Sequence, residues 1–393
     1  MKLADGSHLS YCTNIHPGET WDQIESNLHR YLPSIKQQVS PRAKFGVGLR
    51  LSAAAVETLG CPERRAEFHA WLHREGLYVF TLNGFPYGTF HGQPVKAEVY
   101  RPDWRTPERV AYTRRLADLL AEWLPEGVAG SISTVPGGYK QHLGSSEDPA
   151  QIAANLINLA VDLHRLREQT GRCIALALEP EPGCLLETTQ EAITFFSEHL
   201  FGASAVARTA RVTGLGRGGA EALLRRHLGL CLDACHAAVG FEEPAQVISS
   251  LSTAGIAIHK LQLSAGLRVV KPRQAERAAL AAFAEDVYLH QTRASIGGKV
   301  RHYADLPDAL ADPTEADEWR IHYHVPLWAE QLEVFATTAD WLEDLLRLHN
   351  QNPISNHLEV ETYTWSVLPE QHRNLPVEAA IGQELRWVMR RLT

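Results

Sequence analysis

The 393-residue chain lacks a positive charge excess, long apolar runs and a dense set of cysteines. Lysine and arginine number 38 against 46 aspartates and glutamates, a formal charge of −8 with histidine neutral. A general nucleic-acid binder draws its affinity from a basic footprint on phosphates, so this balance argues against that class and leaves room only for a local basic groove. No stretch approaches the ~18 to 20 apolar residues of a membrane span. Residues Met1 to Tyr11 hold one lysine and no apolar signal-peptide core, so a cytoplasmic protein without a secretory signal is expected. The six cysteines (Cys12, Cys61, Cys173, Cys184, Cys231, Cys235) are sparse and read as reduced thiols. Cys231 and Cys235 stand four apart, but no second Cys/His pair completes a zinc ribbon.

What is present is an ordinary globular composition, 45% hydrophobic and 21% charged, with ample core. Nineteen histidines and nine tryptophans stand out, since both are costly ways to fill a core. The length alone suits two or three domains, or one α/β barrel. Strand-like runs occur at His8–Asn14, Phe45–Leu51, Leu77–Asn83, Val128–Val135 and Cys173–Glu181. Further runs follow at Leu228–Cys235, Ile256–Ser264, Arg320–Val325 and His357–Tyr363. Helical patterns separate them, among them Pro107–Trp123, Pro149–Gln169, Ala220–His227 and Leu327–Leu348. Alternating strand and helix implies right-handed crossovers and a mainly parallel sheet.

Nine strand candidates face the eight that a (β/α)8 barrel needs. The surplus falls between Ser264 and His357, where Asp286–Ala294, the turn Ile296-Gly297-Gly298 and Lys299–Ala304 read as a β-hairpin. The expectation is therefore a single TIM-barrel domain over 1–393, with an insertion at 269–319 over the catalytic face. Which late strand is the extra one stays open at this level.

Three strand ends carry chemistry. Cys173–Glu181 ends in Glu179-Pro180-Glu181, Leu230–His236 ends in Asp233-Ala234-Cys235-His236, and Leu358–Tyr363 carries Glu359 and Glu361. A carboxylate ending a buried strand needs a partner, and in a barrel these ends converge on one mouth. Acidic groups converging with an imidazole suit a divalent cation such as Mn, Mg, Co or Zn. Glu179 and Glu181 are two apart and share a face, as do Glu359 and Glu361, so strand period does not choose within either pair.

These segments resemble the metal-bearing strand ends of the xylose isomerase-like TIM barrels: Leu178-Glu179-Pro180, Leu232-Asp233-Ala234-Cys235-His236, Leu261-Gln262-Leu263-Ser264 and Val360-Glu361-Thr362. That superfamily includes sugar isomerases, ketose 3-epimerases and endonuclease IV-type enzymes. The resemblance implies that Glu179 and Glu361 ligate a metal and move a proton, that Asp233 is a further ligand, and that His236 contacts substrate. Where the family carries a histidine in its third motif this chain has Gln262, a neutral oxygen ligand at best; Arg268 matches an arginine that grips substrate oxygens. Tyr11-Cys12-Thr13-Asn14-Ile15-His16-Pro17-Gly18-Glu19-Thr20-Trp21 resembles the opening signature of the EboE family, barrel proteins of the ebo cluster. Gly46–Ser52, Asn83–Gly88 and His322–Pro326 resemble its further blocks. The family's label, metabolite traffic protein, names a genetic context of secondary metabolism and no reaction.

Bland readings stand beside these. Asn14 and His16 either cap the next helix, with Pro17 near its first turn, or line the site, His16 then touching substrate. His322 and His324 share one strand face about 6.6 Å apart, and either pack under the insertion or reach the mouth. There His322 would contact substrate and His324 would supply the nitrogen ligand that Gln262 lacks. Gly214-Leu215-Gly216-Arg217-Gly218-Gly219 fits the dinucleotide pattern in letters only, because Ser204–Val212 with Arg208 and Arg211 makes a poor buried strand. Helical tryptophans such as Trp104, Trp123 and Trp341 read as core or interface.

The mechanism these readings imply is an isomerase or epimerase on a sugar, cyclitol or related small molecule. A divalent metal on Glu179, Asp233, Gln262, Glu361 and His324 would chelate neighbouring oxygens and acidify the C–H beside a carbonyl. An enediolate would follow, with Glu359 and Glu181 tuning the two glutamates as nearby like charges. The alternatives are a non-catalytic metabolite carrier using the same pocket and, opposed by the charge balance, a phosphodiesterase acting on DNA.

Overall fold

The computed structural model describes residues 1–332, 334–370, 373 and 375–392. Eight parallel strands form a nearly closed barrel: His8–Tyr11, Phe45–Arg50, Leu77–Asn83, Gly130–Thr134, Ile174–Leu178, Leu228–Asp233, Ile258–Leu263 and His357–Val360. The eighth pairs in parallel with both the seventh and the first. The seam between first and second strands closes through a parallel bridge from Cys12 to Gly48, where the Gly48 N–H donates to Ser10 Oγ at 2.7 Å. Strands such as Ile174–Leu178 are buried along their whole length, as expected of parallel strands covered by helices.

Helix ends follow sequence chemistry. Helix Trp21–Val39 opens on a reciprocal capping box of Thr20 with Gln23, so neither Asn14 nor His16 caps it. Helix Asp148–Thr170 closes on Gly171 at φ 71°, a left-handed position glycine fills without strain. The glycine-rich decoy joins two helices, Ala203–Thr213 and Arg217–His227, with no strand before it.

The surplus strand lies in a second, six-stranded antiparallel sheet. It comprises Leu267–Val270, Thr292–Ile296, Lys299–Tyr303, Glu318–Ile321, Gln331–Leu332 and Phe335–Thr337. The insertion is therefore wider than 269–319, and one apolar cluster runs from the barrel into it through Trp319, Ile321 and Phe335. Its hairpin turns at Gly297 and Gly298, φ 55° and 78°, the geometry a two-residue turn between twisted strands requires. Two expected elements change. The strand expected at Arg320–Val325 is Glu318–Ile321, so His322 and His324 follow it in irregular chain. The helix expected from Leu327 begins only at Ala339 and runs to Gln351, after the two short strands.

Candidate functional site

Each acidic residue is delivered by the end of a barrel strand. The Glu179 N–H donates to the Thr134 carbonyl at 3.0 Å, extending the ladder one step past Leu178. Asp233 caps the short helix Ala234–Val239: its Oδ1 accepts from the His236 N–H and the Ser264 hydroxyl, each at 2.8 Å. The Glu361 N–H donates to the Leu263 carbonyl at 3.0 Å, and its Oε1 accepts from the side-chain amides of Asn14 (2.7 Å) and Asn83 (3.1 Å). Glu179, Asp233 and Glu361 thus present oxygens within 4.8 Å of one another, all three side chains buried. Glu179 Oε2 and Asp233 Oδ2 have no hydrogen-bond partner. Burial, then the charges of Glu361 and Asp233, push the Glu179 carboxyl well above the usual carboxylate range. Three buried acids with unspent oxygens need protons or a cation between them.

The histidines add nitrogen. His324 Nδ1 donates to the Glu361 carbonyl at 2.9 Å, and a carbonyl can only accept. Its Nε2, which bears the lone pair in the neutral ring, is buried and unpartnered and lies 3.8 Å from Asp233 Oδ2. Asp233, His236 and His324 make a second donor set, and Glu181, His236 and His322 a third. His236 Nδ1 donates to the Pro180 carbonyl at 2.9 Å. His322 Nδ1 donates at 2.7 Å to Gln291 Oε1, while the Gln291 amide nitrogen donates to Tyr100 and to the Pro182 carbonyl. The two Nε2 atoms then face each other at 3.0 Å with neither ring committed to donate, an arrangement that calls for a shared proton or a common cation. Burial, and next His236, hold His322 well below the usual imidazole range, which weighs against the proton. The Tyr363 hydroxyl is 3.3 Å from the same His322 nitrogen.

Other expected residues go elsewhere. His16 is buried but outside the cleft: its Nε2 meets the Tyr11 hydroxyl at 2.9 Å and its ring stacks on Tyr31 at 4.3 Å. Arg268 stands on the antiparallel sheet, ion-paired with Asp340 at 2.7 Å, because the chain leaves the barrel at Ala265-Gly266. Gln262 is buried beside Asp233 and Glu359 in register, with both amide atoms unpartnered. It is available to the carboxylates' occupant or to water. Glu359 lies deeper, its Oε1 2.5 Å from Lys260 Nζ with both side chains fully buried; burial, and to a lesser degree the like charge of Glu361, push its carboxyl up against the pull of that lysine. Glu181 does face the mouth, and its Oε1 accepts from the Tyr100 hydroxyl at 2.6 Å.

Sequence reasoning passed over Tyr100, Gln291 and Lys260. Asn83 ends the third strand, so the rule that strand ends line the mouth applied to it as it did to Glu179. Tyr100 and Gln291 arrive from a 3-10 turn (Lys96–Tyr100) and from the insertion, and no local pattern marks either. The strand ends open into a narrow cleft. Its floor is Asn14, Asn83, Glu179, Glu181, Glu361 and the His236–His322 pair. No helix among the described residues is long and apolar enough to cross a membrane.

No family model matches the chain, and no curated protein matches it. Solved structures share its path at low identity. A probable 3-DHS dehydratase, AsbF, of Bacillus anthracis aligns at TM-score 0.49 and 10% identity, over 97% of this chain and 98% of its own. The IOLI protein, solved with a zinc atom, aligns at 0.46 and 12%, over 97% and 96%. The 3-keto-D-glucoside 4-epimerase YcjR of E. coli aligns at 0.45 and 12%, over 98% of each chain. At such identities a similar chain path says nothing of shared chemistry.

Proposed function

We propose that the protein is a metal-dependent isomerase or epimerase of a sugar, polyol or related metabolite. It would act in the cytoplasm, in the secondary-metabolite setting its EboE-like motifs imply. The observation that carries this reading is a trio of buried, unpartnered donor atoms: Glu179 Oε2 and Asp233 Oδ2 at barrel strand ends, and His324 Nε2, which the insertion brings 3.8 Å from Asp233 Oδ2. Two carboxylate oxygens and an imidazole fit Mn, Co or Zn, and Mg less readily because of the nitrogen. Glu179, Asp233, Glu361 and His324 would hold the ion; Gln262 lies next to Asp233 in register and can add an amide oxygen.

When bound, a divalent cation supplies Lewis acidity toward a carbonyl or hydroxyl oxygen. The residues do the rest. Glu179, through its other carboxylate oxygen, accepts the proton from the carbon beside the carbonyl. Glu361, turned by Asn14 and Asn83, presents its second carboxylate oxygen to return it. His236 and His322 bind substrate oxygens. The buried floor keeps water from competing for the proton.

The test is metal analysis of protein purified without chelator, joined to deuterium exchange from D2O into a panel of ketoses and inososes followed by NMR. Bound divalent metal and exchange are expected from the wild type. Glu179→Gln should retain its circular dichroism and lose exchange by about 100-fold or more. Metal binding without exchange by any substrate would favour the carrier alternative. Protein that neither holds nor takes up metal would refute the reading.

A further inference from the structure

The cleft has two unlike halves, and only the floor is polar. Over it stand Phe85 and Phe90 from the loop after the third strand, Tyr288 and Leu289 from the insertion, and Tyr363 from the turn after the eighth strand. Phe90, Tyr288 and Tyr363 form an apolar cluster separate from the main core, each at most 8% exposed. Their ring centroids lie 5.1, 5.4 and 5.0 Å apart, with interplanar angles of 49°, 52° and 80°. A single flat ring would be a platform for the C–H face of a sugar. Three rings packed against one another, drawn from three separate loops, make one continuous apolar wall, a collar along one side of the cleft. Tyr363 joins collar to floor, its ring 4.7 Å from that of His324.

Charge narrows the occupant further. Among the described residues lining the cleft, Lys96 is the sole lysine or arginine. Its ammonium is spent on the Glu285 carbonyl (2.9 Å), the Tyr288 carbonyl (2.7 Å) and Asp305 (2.7 Å). A phosphate group would find no free cationic side chain there, beside three or more carboxylates.

We propose that the substrate is an uncharged conjugate: an oxygen-rich head that reaches the strand-end carboxylates, bearing an aromatic or similarly bulky apolar body held in the Phe90/Tyr288/Tyr363 collar. The head rests on the proposed function; the body rests on the collar alone. The probes are acetohydroxamate and benzohydroxamate, which offer a metal the same two oxygens and differ in the apolar body. They are titrated by calorimetry into full-length protein loaded with Mn(II) or Zn(II), metal content measured in the same sample. Benzohydroxamate should bind at least about ten-fold more tightly, the scale expected for burying a phenyl ring. Phe90→Ala and Tyr288→Ala should each bring the ratio of affinities toward one.

Equal affinities for the two probes would overturn the inference and leave the metal site standing. A preference that both variants preserve would place the body elsewhere and overturn it as well. Failure of both probes to bind protein that holds its metal would overturn the inference and leave the metal site standing. If no metal is taken up, the proposed function fails, and phenyl β-glucoside against methyl β-glucoside decides the collar: equal or absent binding of the two overturns it, a preference for phenyl sustains it.

Discussion

Lys260 and Glu359 show what one residue pair does inside a barrel. Both are fully buried at 2.5 Å, below the strand-end acids, and Ser133 Oγ accepts from the ammonium at 3.3 Å. Burial alone would drive the lysine toward neutrality, but the Glu359 charge outweighs it and holds the ammonium protonated. The pair also explains Gly48, since a Cβ there would lie 1.5 Å from Glu359 Oε2. Lys260→Met should cost about 3 to 5 kcal/mol in denaturant unfolding, because it strands a buried carboxylate. Lys260→Met with Glu359→Leu should recover most of that loss. A single variant that costs under about 1 kcal/mol would show that the carboxylate readily takes a proton instead. The same pair marks a limit of sequence reading. Period two puts Glu359 and Glu361 on one face, and only depth in the barrel separates a core ion pair from a mouth carboxylate.

Elements were legible where pattern and burial agree. The eight barrel strands fall within the apolar runs, and Glu179, Asp233, His236 and Glu361 meet because strand ends converge. The insertion was legible as a hairpin but not as a sheet, since its short strands pair across long separations that no local signal records. His322 and His324 reach the floor from irregular chain, not from a strand, though their rings still lie 5.3 Å apart. His16 and Arg268 carried motif resemblance without the geometry, one stacked on a helix and one drawn off with the second sheet.

The collar depends on the clamp that docks this insertion. Lys96 sits at φ 43°, a strained value for a non-glycine residue. Val95 and Lys96 N–H groups both donate to the Val287 carbonyl, at 2.8 and 2.9 Å, beside the three side-chain bonds to the 285–305 region. Lys96→Met removes the side-chain bonds and keeps the stem. Amide hydrogen exchange at 285–291 should accelerate about ten-fold or more, with the barrel strands unchanged. Uniform protection across both regions would show that the loop is held by its apolar contacts alone.

At the scale of the whole molecule, one buried carboxyl ties three regions together. Glu384, on the last helix (Val377–Met389), accepts from the Thr362 hydroxyl at 2.6 Å and from the Leu327 N–H at 3.2 Å. It thereby joins the C-terminal helix to the turn after the eighth strand and to the insertion. Burial pushes its pKa from 4.5 up to about 7, against the pull of those two donors. The folded protein therefore keeps this proton over a range in which the unfolded chain has released it. Stability from this group is complete below about 4.5, falls as pH rises, and is lost above about 7. A displacement of that size corresponds to about 3 kcal/mol. Glu384→Gln preserves an acceptor for both donors and removes the titration. Denaturant midpoints measured from pH 5 to pH 8 should decline in the wild type and stay flatter in the variant, which should be the more stable protein at pH 8. Parallel profiles for the two proteins would mean that Glu384 ionises in the folded state as it does in the unfolded chain, and that the junction is hydrated.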